Sequence, residues 1–256
     1  MSTVNRMKNL WNAGKPAIGA WLGLGSAQSA EYLAREDFDF LVIDHEHGCF
    51  GEDTEVDQLR AIAGTDTTPI VRIGNNSPNL IKRALDSGAL GIIVPHIESA
   101  EDAKTIVQEA KYGPLGIRSF GGKRWQLYGD DFQPRANDET LVITLIESHS
   151  GVKKATEILS VPGVDACVVG PCDLAITMGL EPDIECRDPR LGEAVDAVLA
   201  AAIETSTPLG IHCTSAETAK RRIDQGFKWV TLFFDDYLLV NAARQSVRGM
   251  RELLAE

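Results

Sequence analysis

The sequence lacks the features that mark membrane-spanning and secreted proteins. Its longest apolar stretches, such as residues 91–95, are only a few residues long, whereas a helix that spans a bilayer needs about 20. Residues 1–10 have neither the apolar segment nor the small-residue cleavage site of a signal peptide. We therefore expect no membrane span and no secretion.

Basic residues and paired cysteines are scarce as well. The 25 Lys and Arg residues against 37 Asp and Glu residues give a net charge of −12, which repels nucleic-acid phosphates and anionic lipid. The cysteines are odd in number and contain no C-x-x-C pair, so neither a disulfide framework nor a zinc site is indicated. These shortages argue against a nucleic-acid partner and predict a cytoplasmic protein.

What the sequence does contain is a regular alternation of β-rich runs and amphipathic stretches. Strands are predicted at 18–24, 40–44, 68–72, 91–95, 141–147, 166–170, 208–212 and 229–234, and helices at 26–35, 78–87, 99–111, 150–159, 192–204, 216–225 and 237–254. Eight such units without a linker, in 256 residues, favour one α/β domain over residues 1–256. The predicted fold is a (β/α)8 TIM barrel rather than an open doubly wound sheet.

One glycine-rich segment, 112–136, interrupts this alternation and is too long for an ordinary connection. We expect a functional loop that arches over another group. No G-x-G-x-x-G follows a predicted strand with an acidic residue about 20 positions later, so a dinucleotide site is not indicated.

Reactive residues gather where the predicted strands end. His45 and His47 follow the second strand, His96 the fourth and His149 the fifth, while His212 ends the seventh. In a (β/α)8 barrel the carboxyl ends of the strands form the active-site face. The distribution of all five histidines therefore indicates a functional site there.

Each candidate at these strand ends also has a purely structural interpretation. Glu147 and Asp173 offer oxygen ligands to Mg²⁺ or Mn²⁺, but either one also suits a helix cap. Arg72 in a barrel mouth needs an anion, either a substrate oxygen or a protein carboxylate. His45 and His47 share one face if the backbone there is extended, and otherwise form a solvated rim.

Motifs along nearly the whole chain resemble those of the HpcH/HpaI aldolases, in the same order. They are residues 21–24 (WLGL), 38–47 (FDFLVIDHEH), 69–72 (PIVR), 85–88 (LDSG), 113–118 (GPLGIR), 146–147 (IE) and 169–174 (VGPCDL). The resemblance implies a barrel of the phosphoenolpyruvate/pyruvate superfamily. It also implies a homo-oligomer, usually a hexamer built as a trimer of dimers, with a C-terminal helix at about 237–254 exchanged between subunits.

The same resemblance implies roles for individual residues. His47 matches the catalytic base, with Asp44 beside it and Asp86 raising its basicity, and Arg72 matches the residue that stabilises an enolate oxygen. Glu147 and Asp173 match the metal ligands for Mg²⁺ or Mn²⁺, with Co²⁺ as a further candidate. Substrate contacts are expected at Arg72, Leu145, Gly170, Pro171 and Cys172.

Three departures from the family pattern stand out. His45 occupies a position where the family often has glycine, and Leu145 stands where it often has glutamine, so a substrate hydrogen bond is lost or replaced there. The run 119–125 differs from the family's small-residue segment. These changes leave the core chemistry in place but prevent transfer of the substrate's identity.

The expected function is therefore a metal-dependent aldolase that cleaves or forms 4-hydroxy-2-oxo acids from a 2-oxo acid, such as pyruvate, and an aldehyde. A Schiff-base aldolase is disfavoured because no predicted strand carries a lysine inside the site. A CoA-ester lyase of the citrate or malyl type is the alternative within the superfamily. A barrel that binds a metal or metabolite without turnover is the non-enzymatic alternative.

Overall fold

Eight parallel strands close into a barrel in which each strand pairs with the next and β1 pairs with β8. The computed structural model describes residues 4–255. The strands are β1 (Ala17–Leu22), β2 (Phe40–Asp44), β3 (Thr68–Arg72), β4 (Gly91–Val94), β5 (Leu141–Ile146), β6 (Ala166–Val169), β7 (Leu209–His212) and β8 (Trp229–Phe234). The TIM barrel expected from the sequence is confirmed.

Helices connect the strands and form the outer layer. They are α1 (Arg6–Asn12), α2 (Ala27–Leu33), α3 (Glu52–Ile62), α4 (Pro78–Asp86), α5 (Ala100–Ala110), α6 (Phe132–Glu139), α7 (His149–Lys153), α8 (Ala155–Leu159), α9 (Pro171–Thr177), α10 (Pro189–Thr205), α11 (Ala216–Gln225) and α12 (Asp235–Leu253). The single helix predicted at 150–159 is two helices that meet at Lys154. Within residues 4–255, no helix has the length and apolarity needed to cross a bilayer.

Strand residues alternate between the barrel interior and the layer under the helices, because successive side chains point to opposite sides. In β7, Ile211 packs in the outer core. Gly210 faces inward, where a Cβ would lie 2.1 Å from the Trp229 ring. His212, two residues after Gly210, therefore points to the mouth of the barrel. Small residues inside make room for Trp229 and Phe40, whose rings meet edge to face at 5.5 Å.

The segment 112–136 lies at the opposite end of the barrel from the strand-end histidines. Helix α5 runs back from the mouth, so the connection from α5 to β5 must lie where the strands begin. The segment holds a short 3₁₀ helix (Arg124–Tyr128), and Arg124 and Tyr128 bond to carbonyls at the end of α4. It therefore covers the end of α4 and does not cover its own barrel mouth.

Candidate active site

A buried ion pair joins the last residues of β2 and β3. Asp44 and Arg72 are in register, with Arg72 Nε 2.8 Å from Asp44 Oδ1 and Nη2 2.6 Å from Oδ2. The guanidinium also lies over the Trp21 ring, 4.6 Å from its centre. Of the two anions expected for Arg72 from the sequence, the structure shows the protein carboxylate. The ion pair fixes the guanidinium in the mouth of the barrel.

The residues after Asp44 form a turn, so His45 and His47 do not share a face as an extended strand would require. Asp44 Oδ1 accepts the backbone N–H groups of Glu46 at 3.2 Å and His47 at 3.3 Å. This local pairing bends the chain directly after β2. The His47 side chain is 67% exposed and is available to a bound molecule.

His45 is occupied elsewhere. Its Nδ1 lies 2.6 Å from Glu55 Oε2 on α3, and its ring stacks on Phe50 with ring centres 5.6 Å apart. Burial raises the pKa of Glu55, while the hydrogen bond and charge of His45 lower it. These contacts make His45 a support for the turn rather than a member of the metal shell considered from the sequence.

Glu46, which the sequence did not single out as a site residue, points toward the site. Its Oε2 lies 3.2 Å from Arg72 Nη1 and 3.9 Å from His47 Nε2. Among the described residues this buried oxygen has no well-aligned hydrogen bond. Burial raises the pKa of Glu46, and the charges of Arg72 and His47 lower it.

Glu147 follows β5 directly and is only 4% exposed. Its Oε1 accepts the backbone N–H of His96 at 2.9 Å, which His96 presents from a left-handed backbone with φ of 55°. A Cβ on Gly170 would lie 3.0 Å from Glu147 Oε2. The absence of a side chain at Gly170 therefore leaves room for this carboxylate.

The second expected metal ligand and the remaining substrate-contact candidates lie on β5 and at the start of α9. Asp173 is exposed in the first turn of α9, close enough to affect the ionisation of Glu147. Pro171 is buried at the start of α9, and Cys172 is half-buried there. Leu145 is buried in the barrel interior. The structure thus brings the residues after β5 and β6 together.

These carboxylates suit a divalent cation. The pKa of Glu147 is raised to about 7, mainly by burial and also by the charges of Glu46 and Asp173, against the lowering effect of His96. A cation would offset this crowding of negative charge. No group of three or more His, Cys, Asp and Glu side chains placed to hold a metal is found among residues 4–255. Glu147 and Asp173, the two carboxylates expected from the sequence as ligands, therefore stay a prediction.

Asp86 does not reach this site within one chain. It ends α4, at the end of the barrel where β4 begins, and its Oδ1 accepts a hydrogen bond from Arg118 at 2.9 Å. Because α4 runs antiparallel to the strands, Asp86 and His47 lie at opposite ends of the barrel. An effect of Asp86 on His47 of the same subunit is inconsistent with this placement.

The floor of the mouth is a connected set of side chains from β1, β7 and β8. Trp21 stacks on Phe234, with ring centres 5.5 Å apart. Trp21 Nε1 donates to Thr231 Oγ1 at 2.8 Å, and Thr231 Oγ1 lies 2.9 Å from His212 Nδ1. Burial and the charge of Arg72 lower the pKa of His212 to about 4. A neutral imidazole therefore lies within the electrostatic reach of Arg72.

Comparison with known proteins shows which family this chain resembles. Residues 17–242 match the HpcH/HpaI aldolase/citrate lyase family. The chain is 35% identical to a hydroxypyruvate/pyruvate aldolase from Rhizorhabdus wittichii over 98% of this chain and 100% of that one. It is 36% identical to a 4-hydroxy-2-oxo-heptane-1,7-dioate aldolase from Escherichia coli over 93% and 92%.

Solved structures show the same relationship. A HpcH/HpaI aldolase/citrate lyase family protein from Burkholderia cenocepacia has a TM-score of 0.88 at 35% identity, covering 96% of this chain and 98% of that one. The citrate lyase beta subunit of M. tuberculosis, complexed with oxaloacetate and magnesium, shares the fold alone, with a TM-score of 0.57 at 17% identity over 85% and 91%. The resemblance and the carbon–carbon lyase activity expected from the sequence are confirmed. This chain belongs to the HpcH/HpaI aldolase/citrate lyase family and is a carbon–carbon lyase.

Proposed function

We propose that this protein joins a short 2-oxo acid to an aldehyde, and cleaves the resulting 4-hydroxy-2-oxo acid, with a divalent cation as cofactor. The observation that carries the proposal is the buried Glu147 carboxylate, crowded by Glu46 and Asp173 in a mouth that also holds Arg72. Such a site is poised for a cation and for a ligand with several oxygens. The names of the two aldolase relatives support pyruvate and hydroxypyruvate as 2-oxo acids to test.

Glu147 and Asp173 would hold the cation, which is Mg²⁺ or Mn²⁺, with Co²⁺ as a further candidate. Oxygen ligands of this kind suit hard divalent ions. When bound, the cation supplies Lewis-acid stabilisation of negative charge on the 2-oxo acid. Gly170, Pro171 and Cys172 would form the wall beside the ligand, and Leu145 would contact it without a side-chain hydrogen bond.

Proton transfer falls to His47 in this proposal. In the cleavage direction, His47 takes the proton of the 4-hydroxyl group, the C3–C4 bond breaks, and its electron pair passes to the 2-oxo acid as an enolate. Arg72 stabilises the enolate oxygen, held in place by Asp44. A proton from water then adds to C3 and releases the 2-oxo acid, while the other product is the aldehyde. His47 is exposed enough to exchange its proton with water.

We further propose a hexamer, built as a trimer of dimers, in which α12 is exchanged between subunits. The first residue of α12, Asp235, is anchored to the backbone of Gly23 and Leu24. Most of the helix beyond it is exposed, including the apolar Leu239, Val247 and several others. An exposed apolar face of this length favours a protein partner. Asp86 would then support His47 only across a subunit boundary.

We place the protein in the reducing cytoplasm. All five cysteines, Cys49, Cys167, Cys172, Cys186 and Cys213, are free thiols. The net charge of −12 supports small-molecule substrates rather than nucleic acid or an anionic membrane surface as partners.

The test is a substrate panel. The purified protein is incubated with Mg²⁺ or Mn²⁺, with pyruvate or hydroxypyruvate, and with a series of aldehydes, in parallel with and without chelator. New 4-hydroxy-2-oxo acids, identified by mass spectrometry, are the expected products. A further arm with acetyl-CoA and a 2-oxo acid covers the CoA-ester alternative, and turnover only in that arm would replace the aldolase proposal. Binding without turnover in any arm would contradict the proposed substrates.

A further inference from the structure

His212 is a half-buried polar group in the mouth that the proposed chemistry does not use. It ends β7 and points inward, in the same direction as Gly210. Its ring meets the edge of Phe234, with ring centres 5.1 Å apart. Phe234 in turn stacks on Trp21, which lies beneath the guanidinium of Arg72. The imidazole is therefore part of the floor on which a ligand in the mouth would lie.

The hydrogen bonds of Thr231 determine which nitrogen of His212 carries the proton. The Thr231 hydroxyl accepts from Trp21 Nε1, which is only a donor. Its own proton has one neighbouring acceptor among the described residues, His212 Nδ1 at 2.9 Å. With Nδ1 accepting, the neutral imidazole carries its proton on Nε2. No described residue accepts a hydrogen bond from this Nε2–H.

The barrel order places this hydrogen-bond donor beside the proposed cation ligands. The proposed cation ligands follow β5 and β6, and β7 is the next strand around the barrel. If a 2-oxo acid binds with its C1 and C2 oxygens toward a cation held by Glu147 and Asp173, its C3 would face the wall formed by the neighbouring strands. There, Phe234 and Trp21 are apolar, while His212 offers a hydrogen-bond donor.

We propose that His212 is a specificity-determining residue that donates through Nε2 to a hydroxyl oxygen on C3 of the 2-oxo acid. The preferred donor substrate is then a 3-hydroxy-2-oxo acid, with hydroxypyruvate as the smallest example, over the unsubstituted pyruvate. This inference rests on the proposed aldolase function. A neutral donor suits this place because a charged imidazole would be repelled by Arg72.

The test compares two 2-oxo acid substrates in one assay. Wild-type protein and the variants His212→Leu and His212→Gln are given the same cation and aldehyde with either hydroxypyruvate or pyruvate, and the ratio of the two kcat/KM values is measured. Leucine removes the hydrogen-bond donor. We therefore expect the ratio of kcat/KM for hydroxypyruvate to that for pyruvate to fall by about tenfold, the effect of one hydrogen bond. Glutamine, whose amide nitrogen lies near the position of Nε2, should recover part of the ratio. The control Lys220→Leu changes an exposed residue on α11, the helix after β7, and should leave the ratio at the wild-type value.

The possible results separate this inference from the function on which it rests. If wild type forms no product with either hydroxypyruvate or pyruvate, the proposed function fails and the inference fails with it. If wild type is active and His212→Leu keeps the wild-type ratio, the proposed aldolase function is retained and the proposed role of His212 is wrong. If His212→Leu has altered circular dichroism, the decision falls to His212→Phe, which also lacks a hydrogen-bond donor, and a wild-type ratio in that folded variant overturns the inference as well.

Discussion

Asp44 and Arg72 end adjacent strands in register and form a two-point ion pair, with contacts of 2.8 Å and 2.6 Å, at the mouth of the barrel. Both side chains are almost fully buried. The carboxylate also accepts the N–H groups that start the turn to His47. One ion pair therefore positions both the guanidinium proposed to stabilise the enolate and the backbone that carries the proposed base.

Replacing Arg72 with lysine should separate the charge of this residue from its shape. Lysine keeps the positive charge but loses the planar fork, so we expect kcat/KM to fall by at least about tenfold. Because the ion pair with Asp44 is buried, we also expect the free energy of unfolding in urea to fall by about 1–3 kcal/mol. Arg60→Lys, which alters an exposed pair with Asp57, is the control. Loss of stability with wild-type kcat/KM would leave Arg72 a structural residue only.

The two histidines after β2 should differ in what their loss affects. His47→Ala removes the proposed base and should lower kcat by about 10² or more, with little change in stability, because the side chain is exposed. His45→Ala leaves the buried Glu55 without its partner and should lower the free energy of unfolding by about 1–3 kcal/mol. Steady-state kinetics and urea titrations measure both effects. If His45→Ala abolishes turnover in a stable protein while His47→Ala does not, the base is His45. If neither substitution matters, His96 and His149 are tested next.

Gly170→Ala tests how tightly the proposed ligand Glu147 is packed. The added Cβ would lie 3.0 Å from both Cβ and Oε2 of Glu147, so the carboxylate must move. We expect the concentration of Mn²⁺ needed for half-maximal activity to rise by about tenfold or more. Gly51→Ala is a close control, since Gly170 and Gly51 each precede a helix and have φ values of −99° and −97°. A Cβ on Gly51 would meet nothing within 4 Å. Equal cation requirements in the two variants would contradict this account.

The pKa of His212 predicts a dependence of stability on pH. Burial and Arg72 lower it from 6.5 to about 4, so protonation favours the unfolded chain. This contribution to stability is complete above pH 6.5 and is lost as the pH falls from 6.5 toward 4. At pH 5 the loss amounts to about 2 kcal/mol. Urea unfolding at pH 7.5 and pH 5 should therefore show a smaller acid loss in His212→Gln than in wild type. Equal losses would show that folding does not lower the pKa of His212.

Much of the barrel can be predicted from sequence because its strands are short apolar runs with clear ends. The predicted bounds of β2, β3 and β8 agree with the structure, and the other strands differ by one or two residues. Helix α3 was missed although its acidic first turn and the apolar pair Leu59 and Ile62 mark an amphipathic helix. The local pattern carries this information, so the omission was avoidable.

The site was harder to predict, since it depends on local turns and on side-chain direction. Glu46 was missed because it lies between two histidines, and only the turn after β2 shows which of the three points inward. His212 was noted as a strand-end histidine, but its place in the floor depends on Thr231 and Phe234 from β8. The remote position of Asp86 follows from the antiparallel direction of α4, which the barrel topology alone implies.

The most direct test of the account is the cation requirement of the Glu147 and Asp173 pair. Wild type, Glu147→Gln and Asp173→Asn are stripped with chelator and titrated with Mg²⁺, Mn²⁺ or Co²⁺ while aldol formation from a 2-oxo acid and an aldehyde is followed. Glutamine can still accept the His96 N–H, so the first variant should fold, which circular dichroism checks. The account predicts no turnover in stripped wild type, recovery on adding the cation, and no recovery in either variant. Full activity in excess chelator, or a 2-oxo acid trapped on a lysine by borohydride, would contradict it.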